Sequence, residues 1–193
     1  MHNMHRFLRR AAVAYFFFYL ACTNTIAQAQ ERMTIQATAM GTSTQMGRVY
    51  NVNILIEGLS STEDRQTLIQ AFKRDGQNGL VGELEDMKPK GRVRFASGGV
   101  GNDVKYIIEL PAKSGRRFRL VTDRTIAFGE LYQGTRSRDY SVGAIELVLT
   151  PDGKGSGTVM PACKLTVNKK KQQIEVENYQ NPWTLTNFII TKD

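Results

Sequence analysis

The sequence predicts an α+β chain that is mostly antiparallel β, a sandwich or open barrel, with a short helical pair inserted after the first strands. Three observations predict it. Apolar residues alternate with polar ones at the two-residue period of a strand over most of the chain. One stretch, about 61–87, changes to helical spacing. Turn residues such as Pro151-Asp152-Gly153 and Asn181-Pro182 separate the alternating runs at short intervals.

In chain order, the first residues carry Arg6, Arg9 and Arg10, then an apolar run from Ala11 to Ala21. A basic start, a short apolar run and the small-x-small site Ala27-Gln28-Ala29 are the parts of a secretory signal peptide, so residues 1–29 are expected to be removed by cleavage after Ala29. The run is shorter than the ~20 residues a membrane-spanning helix needs, so no transmembrane span is expected in the mature form. A rival reading takes Leu20-Ala21-Cys22 as a lipoprotein signal, with Cys22 as the lipid-bearing first residue. Tyr19 stands where that motif calls for an aliphatic side chain.

Cleavage at that point leaves residues 30–193 as a single β-rich domain, long enough for a proper core without a disulfide framework. It also removes His2, His5 and Cys22, the only histidines and one of the two cysteines. A chain without histidine has no Ser-His-Asp or Cys-His arrangement and no His-bearing zinc site. One remaining cysteine makes neither an internal disulfide nor a Cys-rich metal site. No cofactor is expected. Of the 26 basic residues, 23 remain to face 18 acidic ones, a net of +5. Such a mild excess favours solubility and weak attraction to anionic surfaces, and does not point to nucleic acid.

The first strand-like run is "RVYNVNILIE", residues 48–57, with Val52, Ile54 and Ile56 on one face. Ser60 or Ser61 caps a helix, with Glu63 or Asp64 three residues on. Leu68, Ile69 and Phe72 share its stripe, and Asp75-Gly76 ends or bends it. A second short helix is expected over about 78–87, with Leu80, Leu84 and Met87 inward, closed by Pro89 and Gly91. Beyond Gly91 the reading is strands: "RVRFA", "VKYIIEL", "RRFRLVT", "VGAIELVLT", "GTVMPACKLTV", "QQIEVEN" and "WTLTNFII". In the last of these the apolar phase shifts between Leu185 and Phe188, the mark of a bulge or of a strand buried on both faces.

Several segments raise chemistry. "SGGVGND", residues 97–103, resembles a phosphate loop, but it leads into a strand rather than a helix and reads as a hairpin. Cys163 shares its face with Val159, Leu165 and Val167, so core packing outweighs pairing between chains or nucleophilic catalysis. Glu175 and Glu177, two apart on one strand, lie ~7 Å from each other, a separation usable by an inverting glycosidase. Adjacent outward glutamates are equally ordinary on a solvated strand.

The sharpest signal is basic. If residues 92–96, 104–110 and 116–122 form a meander, Arg92 and Arg94 share the outward face with Lys105, Arg117 and Arg119, and Glu109 is the only acid there. Arginine forks suit carboxylate, sulfate or phosphate. An anionic polymer, a lipid headgroup or an acidic protein partner would fit that stripe. The plain alternative is a solvated sheet face. Arg136, Arg138, Asp139 and Tyr140 form a second polar loop, in which the charges pair with one another.

"VTDRTIAFGE", "SRDYSVGAIELVLTPDGKGSGTV" and "IEVENYQNPWTL" resemble an uncharacterised family of small exported proteins of soil bacteria. The resemblance covers the C-terminal part of the chain and, more loosely, the helices before it. It implies export and a single domain. No activity is attached to that family, so it carries over no functional residue. The reading is therefore an exported, non-catalytic binding or interaction protein of the cell envelope or periplasm. The alternatives are a carboxylate-based hydrolase and a lipid-anchored envelope component.

Overall fold

The computed structural model describes residues 32–96, 100–127 and 140–192. The expected leader, the cleavage point after Ala29, Cys22, and Arg136, Arg138 and Asp139 lie outside them. In chain order the elements are β1 (Met33–Gly41), β2 (Val49–Ile56), α1 (Thr62–Asp86), β3 (Gly91–Phe95), β4 (Asn102–Leu110), β5 (Arg116–Thr122), β6 (Val142–Leu149), β7 (Gly155–Asn168), β8 (Gln173–Gln180) and β9 (Trp183–Lys192).

Every strand pairing is antiparallel. Eight of the strands close into a barrel in the order β1 to β7, then β9, which returns to β1. β8 pairs with the second half of β7, outside this closure. The mostly antiparallel fold is as expected, whereas the sandwich and the open barrel are both corrected. Met33–Gly41 pairs along β9, and β7 joins β6 over one stretch and β9 over another, so the barrel strands close on one another and β8, paired with β7 alone, is the edge strand.

β1 is an element that the alternation reading passes over. Its inward positions are Met33, Ile35, Ala37 and Ala39, all buried in the barrel core, and the two alanines make a weak apolar signal. The phase shift in β9 is a bulge. Gln36 faces Ile189 while Thr38 faces Thr186, so Asn187 and Phe188 together oppose Ala37. Asn187 takes a φ of 54° there, a left-handed conformation that asparagine tolerates better than most residues.

The helical segment is interrupted where the sequence reading ends or bends it, but as a kink within one element rather than as two separate helices. α1 is one helical element with a break at Asp75 (φ −132°, ψ 16°) and Gly76 (φ 60°, ψ −140°), with no loop between its halves. Gly76 supplies the positive φ without a Cβ penalty. The halves fold close enough that a Cβ at Gly79 would meet the Ala71 carbonyl oxygen. The start is as read: the Ser61 side chain accepts from the Asp64 N–H at 3.1 Å, and Asp64 accepts from the Ser61 N–H at 2.8 Å.

Two apolar layers result. Ile54, Val93, Ile107, Phe118, Leu147 and Trp183 are among those filling the barrel. Leu68, Leu80 and Leu84 of α1 pack instead on the outer faces of Tyr106, Val121, Ala144 and Cys163, with Leu165 and Ile174 from the β7–β8 ribbon. Gln77, just past the break, accepts the Leu165 N–H at 3.1 Å. That N–H lies at the register shift between Lys164 and Leu165, so the side chain satisfies a backbone donor the ladder leaves open. One side of the barrel is thereby covered, and among the described residues no element packs on the outer wall of β9, β1, β2 and β3.

Candidate functional site

The expected meander of β3, β4 and β5 is present, but its basic stripe is not contiguous. A register shift between Val104 and Tyr106 turns Val104 into the barrel and Tyr106 outward beneath α1. Burial pushes the Tyr106 hydroxyl up to about 12, against the pull of Arg65 and Arg119.

Lys105 is only 8% exposed. Its ammonium donates to the Glu85 carbonyl at 3.2 Å and the Met87 carbonyl at 2.8 Å, with Asp123 at 4.0 Å. It therefore closes the C-terminal end of α1, where carbonyls lack helical partners and a cation is favoured.

Arg119 is likewise 8% exposed. Its Nε and Nη2 donate to Glu146 Oε1 at 2.9 and 2.6 Å, and its Nη1 donates to the Ile174 carbonyl at 2.8 Å. Arg117 donates to the other oxygen of Glu146 at 2.6 Å. Burial alone would raise the Glu146 carboxyl, but hydrogen bonds and charge from Arg117 and Arg119 outweigh it and hold the group below its ordinary value. Glu109, expected as a lone acid on this face, holds Arg116 through Nε at 3.1 Å and Nη2 at 2.9 Å.

Lys105 and Arg119 are thus internal braces rather than ligand contacts. Arg117 faces Leu110 and Arg92 faces Asp103, seven residues apart on β4, or roughly 20 Å along the strand. Only Arg92 and Arg94 remain together, both exposed on the outward side of β3. Asp103 lies 3.7 Å from Arg92, a loose ion pair.

Around these two arginines the register assembles a surface that the residue-by-residue reading missed. Gln36 pairs with Asn53, and Asn53 with Arg94, giving one row of amide, amide and guanidinium across β1, β2 and β3. Thr38 pairs with Asn51 and with Thr186 in the next row. Thr34 and Leu55 lead to Arg92 in a third. Alternation with the buried Ile35, Ala37, Val52 and Ile54 points these side chains outward. The signal was present as polar residues between apolar ones in "TIQATAM" and "NVNIL". What turns it into a surface is the pairing.

The remaining candidates resolve plainly. Glu175 accepts from Asn168 at 3.1 Å and lies 3.5 Å from Lys171, and Glu177 lies 3.3 Å from Lys164. Both carboxylates are braced on the ribbon. The glycine-rich segment joins β3 to β4, with Val100 exposed and Asn102 donating to the Thr125 carbonyl at 3.1 Å; residues 97–99 lie outside those described. Tyr140 is half-buried. Among the described residues no three His, Cys, Asp or Glu side chains gather as a metal site, and no helix is long and apolar enough to cross a membrane.

Cys163 is fully buried, and burial pushes its thiol up to about 12, with Arg119 pulling slightly the other way. The native protein is expected to leave this thiol unlabelled by a maleimide at neutral pH and to expose it on denaturation. Labelling of the folded protein at the denatured rate would contradict this placement. The chain matches no family model, no curated protein and no solved structure.

Proposed function

We infer that the protein is an exported, non-catalytic binding protein of the cell envelope or periplasm, which contacts an anionic ligand through Arg92 and Arg94. The observation that carries this reading is their placement: two exposed guanidinium groups, two residues apart on β3, at the border of a bare wall. Export rests on the leader-like pattern of residues 1–29. Hydrolysis by a carboxylate pair finds no support in Glu175 and Glu177, each engaged by a neighbouring lysine.

An arginine fork on a carboxylate or sulfate contributes about 1.5–3 kcal/mol, so losing both arginines costs well over tenfold in affinity. Exposed substitutions of this kind change stability by only about 0.5 kcal/mol. The R92A/R94A double variant is expected to fold normally and to lose retention on heparin at low salt. Unchanged retention would remove these arginines from the function.

A further inference from the structure

We propose that the ligand is a linear, carboxylate-bearing polysaccharide, a polyuronate, lying across β1, β2 and β3. This rests on the reading that Arg92 and Arg94 take an anion.

The first ground is the contrast between the two sides of the molecule. The covered side braces its polar surface with ion pairs: Glu109 with Arg116, Glu146 with Arg117, Lys164 with Glu177. Among the described residues the β1–β2 pairing itself carries none, and the loose Arg32–Glu57 pair at 3.8 Å lies just beyond its end. Gln36, Asn51 and Asn53 are exposed there and make no side-chain hydrogen bond to the protein among the described residues. Solvated strands commonly carry charge, which keeps them soluble and guards against sheet-to-sheet association. The central amides, bordered by exposed Ile189 beside Gln36 and by Met40 opposite Val49, are suited instead to a partner that itself donates and accepts and also has apolar faces.

The second ground is the order of groups within the rows. An amide offers a carbonyl acceptor and two N–H donors, which matches a vicinal diol, where each hydroxyl also donates and accepts. A guanidinium offers donors only and matches a carboxylate in bidentate fashion. The row Gln36, Asn53, Arg94 therefore presents two diol-matching groups followed by one carboxylate-matching group, about 5 Å apart from strand to strand. A polyuronate repeats hydroxyls and carboxylates along a chain on that scale. The bulge adds one more amide, since Asn187 lies 3.5 Å from the Thr38 hydroxyl.

The other anionic partners fit less well. Lipid surfaces are held by clusters of about 4–8 basic residues, and here two arginines share the wall with Asp103. Protein interfaces are anchored by buried aromatic residues at their centre, and these three rows contain no aromatic side chain. An acidic polypeptide would satisfy the arginines and leave the amides idle.

Polygalacturonate on beads tests this directly, with polyglutamate beads and phosphatidylglycerol vesicles as charge controls and dextran as the neutral one. N51V/N53V removes the amides while placing a good strand former at both sites. The wild-type protein should bind polygalacturonate, and soluble galacturonate oligomers should displace it, a measurement that needs no variant. N51V/N53V should weaken polygalacturonate binding at least tenfold and leave the weaker retention on polyglutamate unaltered, and R92A/R94A should abolish both. Equal binding of N51V/N53V and wild type to polygalacturonate would overturn the proposal and leave the anion reading standing. So would a preference for polyglutamate or the vesicles. Absence of retention on heparin, polyglutamate and polygalacturonate alike would instead overturn the underlying anion reading.

Discussion

Replacing Arg119 by alanine is expected to destabilise the fold by about 3–5 kcal/mol, the cost of breaking a buried ion pair by removing one partner. The guanidinium joins β5 to Glu146 on β6 and to the Ile174 carbonyl on β8. Its loss leaves a carboxylate whose side chain is 22% exposed with Arg117 alone, and an orphaned carbonyl beneath the ribbon. With a urea slope of about 1–3 kcal/mol per molar, the midpoint should fall by more than 1 M. A midpoint within experimental error of wild type would refute the bracing role. Arg119→Lys should recover only part of the loss, because an ammonium cannot serve Glu146 and Ile174 as a planar fork does. Replacing the pair together, R119M/E146L, should recover more, since no buried charge is then left stranded and Arg117, its side chain 41% exposed, can turn to solvent.

The same group sets a pH dependence. Glu146 is held below its ordinary value of 4.5, so the unfolded chain binds its proton more readily than the folded one. The stabilisation is complete above that ordinary value and is lost as pH falls through the lower folded value. Glu146→Gln should flatten this acid limb and lower stability at neutral pH. A variant whose acid unfolding curve keeps the wild-type shape would place the titration elsewhere.

These braces mark where the sequence was legible and where it was not. Period-two alternation correctly separates Phe118 and Leu120 from Arg117 and Arg119, because inward and outward are local properties of a strand. Whether outward means solvent is not local. α1 and the β7–β8 ribbon cover the outer face of β5, so Arg119 is buried on the side that alternation assigns to water. "RLVT" carries a trace of this, with Val121 apolar at an outward position. Bulges defeat the count in the same way: the register shift beside Lys105 reverses the faces of β4 partway along. Barrel closure depends on β1 finding β9 across nearly the whole chain, and small Ala37 and Ala39 hide β1 from a hydrophobicity pattern. The row Gln36, Asn53, Arg94 draws one residue from each of three strands, so no single segment announces it.

Trp183→Ala is expected to cost about 3–5 kcal/mol, as truncation of a large buried aromatic residue does. Trp183 opens β9 at the junction that closes the barrel, opposite Gly41 of β1 and Val159 of β7. It is wholly buried, and its ring lies 5.6 Å from that of Tyr50, tilted by 49°. Such a pair adds about 0.5–1.5 kcal/mol beyond the area it buries. Alanine would remove the wedge between the first and last strands and leave a void that Gly41, with no side chain, cannot fill. For a chain of this size each kcal/mol moves the melting midpoint by about 2–4 °C, so a fall of about 10 °C should be read by circular dichroism. Trp183→Phe keeps most of the apolar volume and should lose much less. Because Trp183 is the sole tryptophan, wild-type fluorescence reports this junction alone. It should show a blue-shifted emission that iodide does not quench, shifting to red in one step with the loss of strand signal. Iodide quenching in the native state, or a melting midpoint of the alanine variant within 2 °C of wild type, would mean that closure does not depend on this ring.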